Sequence, residues 1–369
     1  MRSIVRSLAT FAILTSPVLA QLVTAVTPLA NSGESPLPLP KFGDVAPLSE
    51  RLGGIFNGLT ISVPTAETIV YKQGAESLGV DFDAIDLPTG CSIEITSLLD
   101  QDSQILTSKD VDAGRIVSAY FNGPALRVRV IAAPGTKPSV RLAAMSITMP
   151  LIADPMSICG TADNRWLSSH RPMCRLIIRK GTSNYICTGW LVSTSRGGHV
   201  TAGHCLSGAS AVTSQYNVPT STSSGGRRNP PSADQYSWIS TTRRYSNGGV
   251  GNDWGVYRVN GNPYLRQGAY FRLAAPSSGR YVYRGGYGSA SGTRNFAQKT
   301  HGGSITSVIG NTVYYRIDST GGDSGGPVWY SSYYAVGIHT HGGCTATGGS
   351  NKATNVLHSS FLSAYYGVR

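Results

Sequence analysis

Between residues 58 and 148 one pattern recurs: short runs in which apolar and polar side chains alternate. L-T-I-S-V, T-I-V-Y, L-G-V-D-F, S-I-E-I, R-I-V-S-A-Y-F, L-R-V-R-V-I and R-L-A-A-M-S-I succeed one another, separated by turn formers such as P-T-G and A-P-G. A period of two sends successive side chains to opposite faces of a strand, one buried and one wet. About seven such runs predict a small antiparallel β-sandwich over residues 58–153. This stretch holds no histidine, and therefore no serine–histidine pair. Its expected role is folding aid, inhibitor of the downstream domain, or accessory binding domain.

Pro150 to Pro155 marks a boundary, and residues 157–369 again read as short strands, with abundant Gly and Tyr. Residues 219–233 contain T-S-T-S-S-G-G-R-R-N-P-P and read as a long polar loop. The basic stretch Y-R-G-G-Y-G-S-A-S-G-T-R (283–294) reads as a solvated Gly-rich loop rather than an RNA contact. Helical spacing shows only in V-L-H-S-S-F-L-S-A-Y-Y, expected as a short terminal helix. The chain is therefore all-β: a sandwich followed by a second domain of barrel or sandwich type.

The start of the chain has a different pattern. Arg2 and Arg6 precede an apolar stretch, and Val18-x-Ala20 suits a signal peptidase, so residues 1–20 read as a signal peptide with Gln21 following. The apolar run is short and broken by Pro17, which argues against an anchor; no later stretch is apolar enough to span a bilayer. Residues 21–57, Pro- and Ser-rich through 27–50, read as an extended segment. The expected location is extracellular.

Charge sharpens the division. Residues 21–156 carry 9 Lys+Arg against 14 Asp+Glu; residues 157–369 carry 20 against 5. An acidic first half and a basic second half attract each other, as a pro-segment and its enzyme do, although two unrelated domains on one chain satisfy the same numbers. Six cysteines behind a signal peptide favour three disulfides, and no C-x-x-C pair points to zinc. No N-x-[ST] sequon occurs.

A serine hydroxyl becomes a nucleophile when an imidazole takes its proton, and the imidazole needs a buried carboxylate to hold its tautomer. Residues 157–369 hold five carboxylates: Asp163, Asp234, Asp253, Asp318 and Asp323. T-A-G-H-C places His204 after a β-run; G-N-D-W-G-V-Y-R-V places Asp253 at the head of an alternating strand. G-G-D-S-G-G-P sets Ser324 among glycines, where the backbone turns sharply and aims amides at a carbonyl.

With these strings in the order His, Asp, Ser, residues 160–369 resemble the chymotrypsin-fold serine endopeptidases. The resemblance implies a double β-barrel with the triad His204, Asp253 and Ser324 between the barrels. It also implies an oxyanion hole from the backbone N–H groups of Gly322 and Ser324, and a Cys187–Cys205 disulfide. Asp323 is then a structural acid under the oxyanion loop. Asp163 and Asp234 are expected at the surface. No cofactor or metal is expected; His339 and His341 lack a third ligand nearby.

The substrate pocket has two readings. Asp318, six residues before Ser324, stands where trypsins carry the acid that pairs with substrate Arg or Lys, but Thr320 replaces the cysteine of the trypsin string. A-V-G-I-H-T-H-G-G (335–343) instead resembles the glutamyl endopeptidases. That resemblance gives His339 and Ser319 the substrate carboxylate, with Thr340 and Gly342 on the pocket wall. Glutamate specificity requires Asp318 to turn away and be hydrogen-bonded or paired. All five glutamates precede residue 157, so an enzyme cutting after Glu would not cut its own catalytic part. The balance leans to Glu at P1, with Arg/Lys specificity through Asp318 as the alternative, and a binding protein with an unassembled triad as a further one.

The four remaining cysteines allow three connectivities. The one expected is Cys159–Cys344, with Cys91–Cys174 bridging the two domains. The resemblance also implies a zymogen cut between residues 154 and 175, where Arg165 and Arg171 are candidate sites. Partners are protein or peptide substrates and the chain's own N-terminal domain as inhibitor or chaperone, with no nucleic acid.

Overall fold

The computed structural model describes residue 36 and residues 39–53, 63–148 and 157–369 of the 369-residue chain. The signal peptide, the boundary at 150–155 and much of 21–57 lie outside the described residues.

Among the described residues, nine strands build the first region: β1 (Lys41–Gly53), β2 (Val63–Tyr71), β3 (Ser77–Asp86), β4 (Ser92–Ser97), β5 (Ser103–Leu106), β6 (Ile116–Val117), β7 (Phe121–Asn122), β8 (Ala125–Ala132) and β9 (Ser139–Thr148). One sheet runs β1-β9-β3 and ends on β6 and β7; the other runs β2-β8-β4-β5. Alternation in β8 turns Leu126, Val128 and Val130 inward, against Val80, Phe82, Leu142 and Ile147 of the facing sheet. On the wet face Arg129 lies in register with Glu67 and Glu94, and its Nε is 2.6 Å from Glu67 Oε2. The expected sandwich is present.

The second region closes two six-stranded barrels. In the first, β11 (Met173–Lys180), β14 (Ala211–Gln215), β15 (Gln235–Asn247), β16 (Asp253–Val259), β13 (Gly198–Thr201) and β12 (Ser183–Leu191) form a ring shut by β11–β12. In the other, β19 (Lys299–Ile309), β18 (Tyr281–Gly286), β21 (Pro327–Tyr330), β22 (Tyr334–His341), β23 (Asn351–Asn355) and β20 (Thr312–Tyr315) close through β19–β20. Two short strands flank them: β10 (Trp166–Leu167) on β19, and β17 (Arg272–Leu273) on β22. Each barrel has its own apolar filling, Leu176, Ile178 and Leu191 in one, Val282, Val313 and Val336 in the other. The terminal helix spans Ser359–Val368; His358 Nδ1 accepts from the amides of Ser360 and Phe361, and Phe361, Tyr365 and Val368 point inward.

Part of the extended segment proves to be a strand. β1 pairs with β9 of the sandwich and, at its start, with β12 of the first barrel, so one sheet runs unbroken between the two regions. The 219–233 loop, in part exposed, also reaches the sandwich. Ser232 donates from both its amide (2.8 Å) and its hydroxyl (2.9 Å) to Asp102, and Arg227 Nε is 3.2 Å from Glu76. Asp81 of the sandwich, fully buried, meets Arg179 of β11 and Arg115, the latter at 2.8 Å. The opposed charges of the two halves therefore meet in a shared, buried interface.

The disulfides are Cys159–Cys344 and Cys187–Cys205. The expected Cys91–Cys174 bridge does not form. Cys91 is buried in the sandwich core and Cys174 in the first barrel, both as free thiols. Each sits among its own region's apolar side chains, and β1 and the ion pairs join the regions where a covalent link was expected. Burial pushes the Cys174 thiol up to about 12, where it is no nucleophile.

Candidate active site

His204 lies in a single helical turn (Gly203–Leu206) just after β13, and Asp253 opens β16, the neighbour of β13. The adjacent strands bring the two side chains together. His204 Nδ1 lies 2.5 Å from Asp253 Oδ2, and the His204 backbone N–H donates to Oδ1 at 2.9 Å. Asp253 is fully buried, and Thr354 on β23 holds its backbone from the other barrel. With Nδ1 committed, His204 Nε2 is the free end, and among the described residues it has no partner.

Ser324 follows a sharp turn between β20 and β21. Gly322 takes φ +98°, and a Cβ there would lie 2.8 Å from the Tyr287 carbonyl, so glycine alone fits. Thr188 of β12 pins both ends of the turn, its amide donating to Ser324 O at 2.8 Å and its hydroxyl to Gly322 O at 2.9 Å. A side chain on Gly325 would collide with Thr201 and with the Ala202 amide, so the residues around Ser324 press against those leading into His204. Cys205, next to His204 in the chain, has its Sγ 3.8 Å from Ser324 O. Ser324 Oγ, like His204 Nε2, is buried and makes no hydrogen bond among the described residues. Cys187, Cys205 and His204 cluster, but the two sulfurs are joined as a disulfide rather than offered as thiolates.

Beneath the turn lies a group of charges that local sequence does not reveal. Asp323 is fully buried; Arg165 Nη1 stands 2.9 Å and Arg284 Nη1 3.0 Å from its Oδ2, and the Gly288 amide donates to Oδ1 at 2.8 Å. Burial works to raise the Asp323 pKa, but Arg284, Arg165 and Lys299 outweigh it and hold the carboxyl well below the usual range. The 283–294 stretch, expected as a solvated loop, forms the wall of this cage. A Cβ on Gly286 or on Gly288 would sit 2.5 Å from an Asp323 oxygen. Arg165 is only 3% exposed and also binds the half-buried Asp163, so it is a counter-ion rather than a cleavage site; Arg171 stays exposed. Asp234 is likewise buried, its Oδ1 2.8 Å from Arg266, not a surface group.

Asp318 is buried as well, but among the described residues no arginine or lysine meets its carboxylate. Its Oδ1 accepts from the Cys159 amide and its Oδ2 from the Asn164 amide, each at 2.7 Å. Both amides belong to the segment tied down by Cys159–Cys344. His301 Nδ1 lies 3.3 Å from Oδ2, yet that nitrogen accepts from the Asp318 amide at 2.9 Å, and burial lowers the ring's pKa, so it brings no cation. Arg284 Nη2 reaches the Asp318 backbone carbonyl at 2.5 Å. His339, Ser319 and Thr340 do come together. His339 Nε2 is 2.6 Å from Ser319 Oγ and its Nδ1 2.5 Å from the Tyr315 hydroxyl, a partner that no sequence motif flagged. Burial, together with Arg284, keeps the His339 ring neutral, its pKa well below the ordinary histidine value. Thr340 is buried beside it, its hydroxyl against His341 Nδ1, and Gly342 follows β22.

The trypsin family profile matches residues 164–360. The chain belongs to the trypsin family. "Secreted RxLR effector protein 73" of Plasmopara viticola is 29% identical over 217 residues, 52% of this chain and 52% of that protein, so the chain spans about half of that relative's length. Among solved structures, a Glu endopeptidase in complex with MPD is 20% identical (TM-score 0.45, 57% of this chain, 100% of that one). The protease Anisep from Arthrobacter nicotinovorans is 19% identical (TM-score 0.45, 55% of this chain, 99% of that one). No helix among the described residues is long and apolar enough to cross a membrane.

Proposed function

We propose that the chain is an exported endopeptidase in which Ser324 is the nucleophile, His204 its base and Asp253 the group that orients the base. The observation that carries this reading is the 2.5 Å contact of His204 Nδ1 with Asp253 Oδ2, which leaves Nε2 free to receive a proton. His204 takes the hydroxyl proton as Ser324 Oγ bonds to the peptide carbonyl carbon. The carbonyl oxygen, now an anion, is met by the N–H groups of Gly322 and Ser324, a contribution of about 2.7–4 kcal/mol per donor. The imidazolium then protonates the departing amine, the C–N bond breaks, and water repeats the sequence on the acyl-enzyme.

Glutamate is the preferred P1 residue in this reading. Both Asp318 oxygens are occupied by backbone amides, so its charge is spent away from a cationic guest. In the tautomer protonated at Nε2, His339 accepts from Tyr315 and donates to Ser319, whose hydroxyl is left to donate to a carboxylate. The buried Arg284 behind this chain of bonds adds a positive potential that suits an anionic side chain. Secretion is supported by the leader pattern of residues 1–20, by two disulfides and by the word "secreted" in the relative's name. The sandwich acts as inhibitor or folding chaperone, a role supported by the buried Asp81–Arg179 and Glu76–Arg227 pairs.

Peptides differing only at P1, together with fluorophosphonate labelling, test the reading. Cleavage after Glu at least about tenfold faster than after Arg is expected, a ratio worth about 1.4 kcal/mol. Faster cleavage after Arg would restore the Asp318 alternative, and no adduct on Ser324 in the processed protein would favour a binding role.

A further inference from the structure

We propose that Lys180 is a positioning residue for His204, and that the sandwich, by gripping the hairpin that carries Lys180, holds the histidine in place in the working enzyme. This role rests on the triad proposed above. It goes beyond help in folding, since the grip lasts as long as the two regions stay docked.

His204 lies in a single helical turn, too short to satisfy its own carbonyls. The Ser207 amide donates to Gly203 O and the Ala209 amide to Leu206 O. The His204 carbonyl is met instead by Lys180 Nζ at 2.7 Å, while Arg243 Nη1 donates to the carbonyls of Ala209 (3.0 Å) and Leu206 (3.4 Å). The His204 N–H is already held by Asp253 Oδ1 at 2.9 Å. Both main-chain groups of the histidine are thus fixed by charged side chains, one from β16 and one from β11, and such bonds are stronger than those between neutral groups. The Cα that carries the imidazole sits between them, so the direction of Nε2 follows from both. Burial lowers the Lys180 pKa and the Asp253 charge works in the other direction, so the two residues feel each other across His204.

Lys180 ends β11, and Arg179 precedes it. Neighbours in a strand point to opposite faces. Lys180 reaches the histidine turn, whereas Arg179 reaches the sandwich, where it meets the buried Asp81 and donates to the Ser146 hydroxyl. The Arg179 carbonyl serves the histidine turn as well, accepting from the Ser210 amide at 2.9 Å.

The returning strand of the hairpin is held too. Thr182 O accepts from the Val45 amide at 2.9 Å, and Ser183 and Asn184 lie opposite Asp44 and Gly43 of β1. The Tyr120 hydroxyl donates to Asn184 Oδ1 at 3.3 Å. A hairpin end of this kind is ordinarily left in water and mobile; here a second region fastens both of its strands. Contacts run without a gap from Asp81 through Arg179 and Lys180 to His204.

Lys180→Met and Lys180→Arg are made in the full exported chain, and kcat on a peptide that the parent cleaves is divided by the fraction of Ser324 that a fluorophosphonate labels at completion. Loss of the lysine is expected to lower kcat per labelled site about ten- to hundredfold, the scale of a small misplacement of a catalytic group, with KM within about twofold. Lys180→Arg keeps a cationic donor and is expected to recover most of the loss. Asp81→Asn, with Ser146→Ala in its place should it melt early, is expected to lower kcat in the parent but to add nothing to Lys180→Met. An unchanged kcat per labelled site in Lys180→Met, even with a lower Tm, would overturn the positioning role and leave the triad standing, and so would a loss that Lys180→Arg shares in full. Losses that multiply in the double variant would overturn the part given to the sandwich. No Ser324 adduct in the parent would bring down the triad and this role together.

Discussion

Asp318 and Asp323 stand five residues apart on one turn, both without exposed surface, and the protein neutralises them by different means. Asp323 is met by two guanidinium groups, with backbone amides adding to them. Asp318 is met by two backbone amides from a segment that a disulfide holds in place. Cations cancel the charge and make the site depend on the partner's presence; amide dipoles fix the direction of the carboxylate at lower cost if one is lost. The first arrangement supports the turn that carries Ser324, and the second holds the Asp318 carboxylate against the segment at Cys159 and Asn164.

The sharpest way to break this contrast is Arg165→Gln. Removing one partner of a buried ion pair leaves charge uncompensated and costs about 3–5 kcal/mol. A fall in Tm of several degrees is expected, with a matching loss of kcat as the turn relaxes. An unchanged melting curve would mean that Arg284 suffices alone. Asp318→Asn probes the other aspartate and should cost less, about 1–3 kcal/mol for one imperfectly replaced acceptor. Its P1 preference should stay as in the parent; loss of cleavage after Arg or Lys in this variant would show the acid to be a pocket floor after all.

The effect of pH is the smallest for each unit step, and it separates the aspartates from the histidines. Burial lowers His199 and His341 to about 4, and lowers His339 well below its ordinary value. Between about pH 6.5 and 4 the unfolded chain then binds protons that the folded chain does not, so stability falls as pH falls, by up to about 1.4 kcal/mol per pH unit for each ring. Asp323 and Asp163 have lowered values, so their contribution is full above about pH 4 and is lost only as pH falls through the folded pKa. Melting curves from pH 7 to 3 should therefore decline first over the histidine window. A flat profile down to pH 4.5 would mean that these rings already carry protons when folded.

The parts of the molecule that were legible in sequence are those whose chemistry is local. T-A-G-H-C and G-D-S-G-G-P mark the turns that hold His204 and Ser324 because glycine is needed there: a Cβ on Gly203 would strike the Ser246 carbonyl, and Gly322 takes φ +98°. Alternation marked the sandwich for the same reason: β8 records its inward face in every second residue. Arg165 and Arg284 carried no such mark. Among 20 cations in residues 157–369, nothing local tells which two will lie against Asp323, since the pairing spans 158 and 39 positions of chain. The polar 219–233 stretch is a loop, as its composition indicates, but nothing local shows that Arg227 and Ser232 meet acids of the sandwich. The even cysteine count misled about Cys91 and Cys174, which are small core side chains.

Strand β1 has a practical consequence for handling the protein. Its hydrogen bonds to β9 and to β12 are made by main chain, so a protease that severs the connection between β1 and β2, or the one after β9, does not by itself part the fragments. Nicked material should elute from a sizing column as one species and resolve into pieces only in detergent, so intact hydrodynamic size is no proof of an uncut polypeptide.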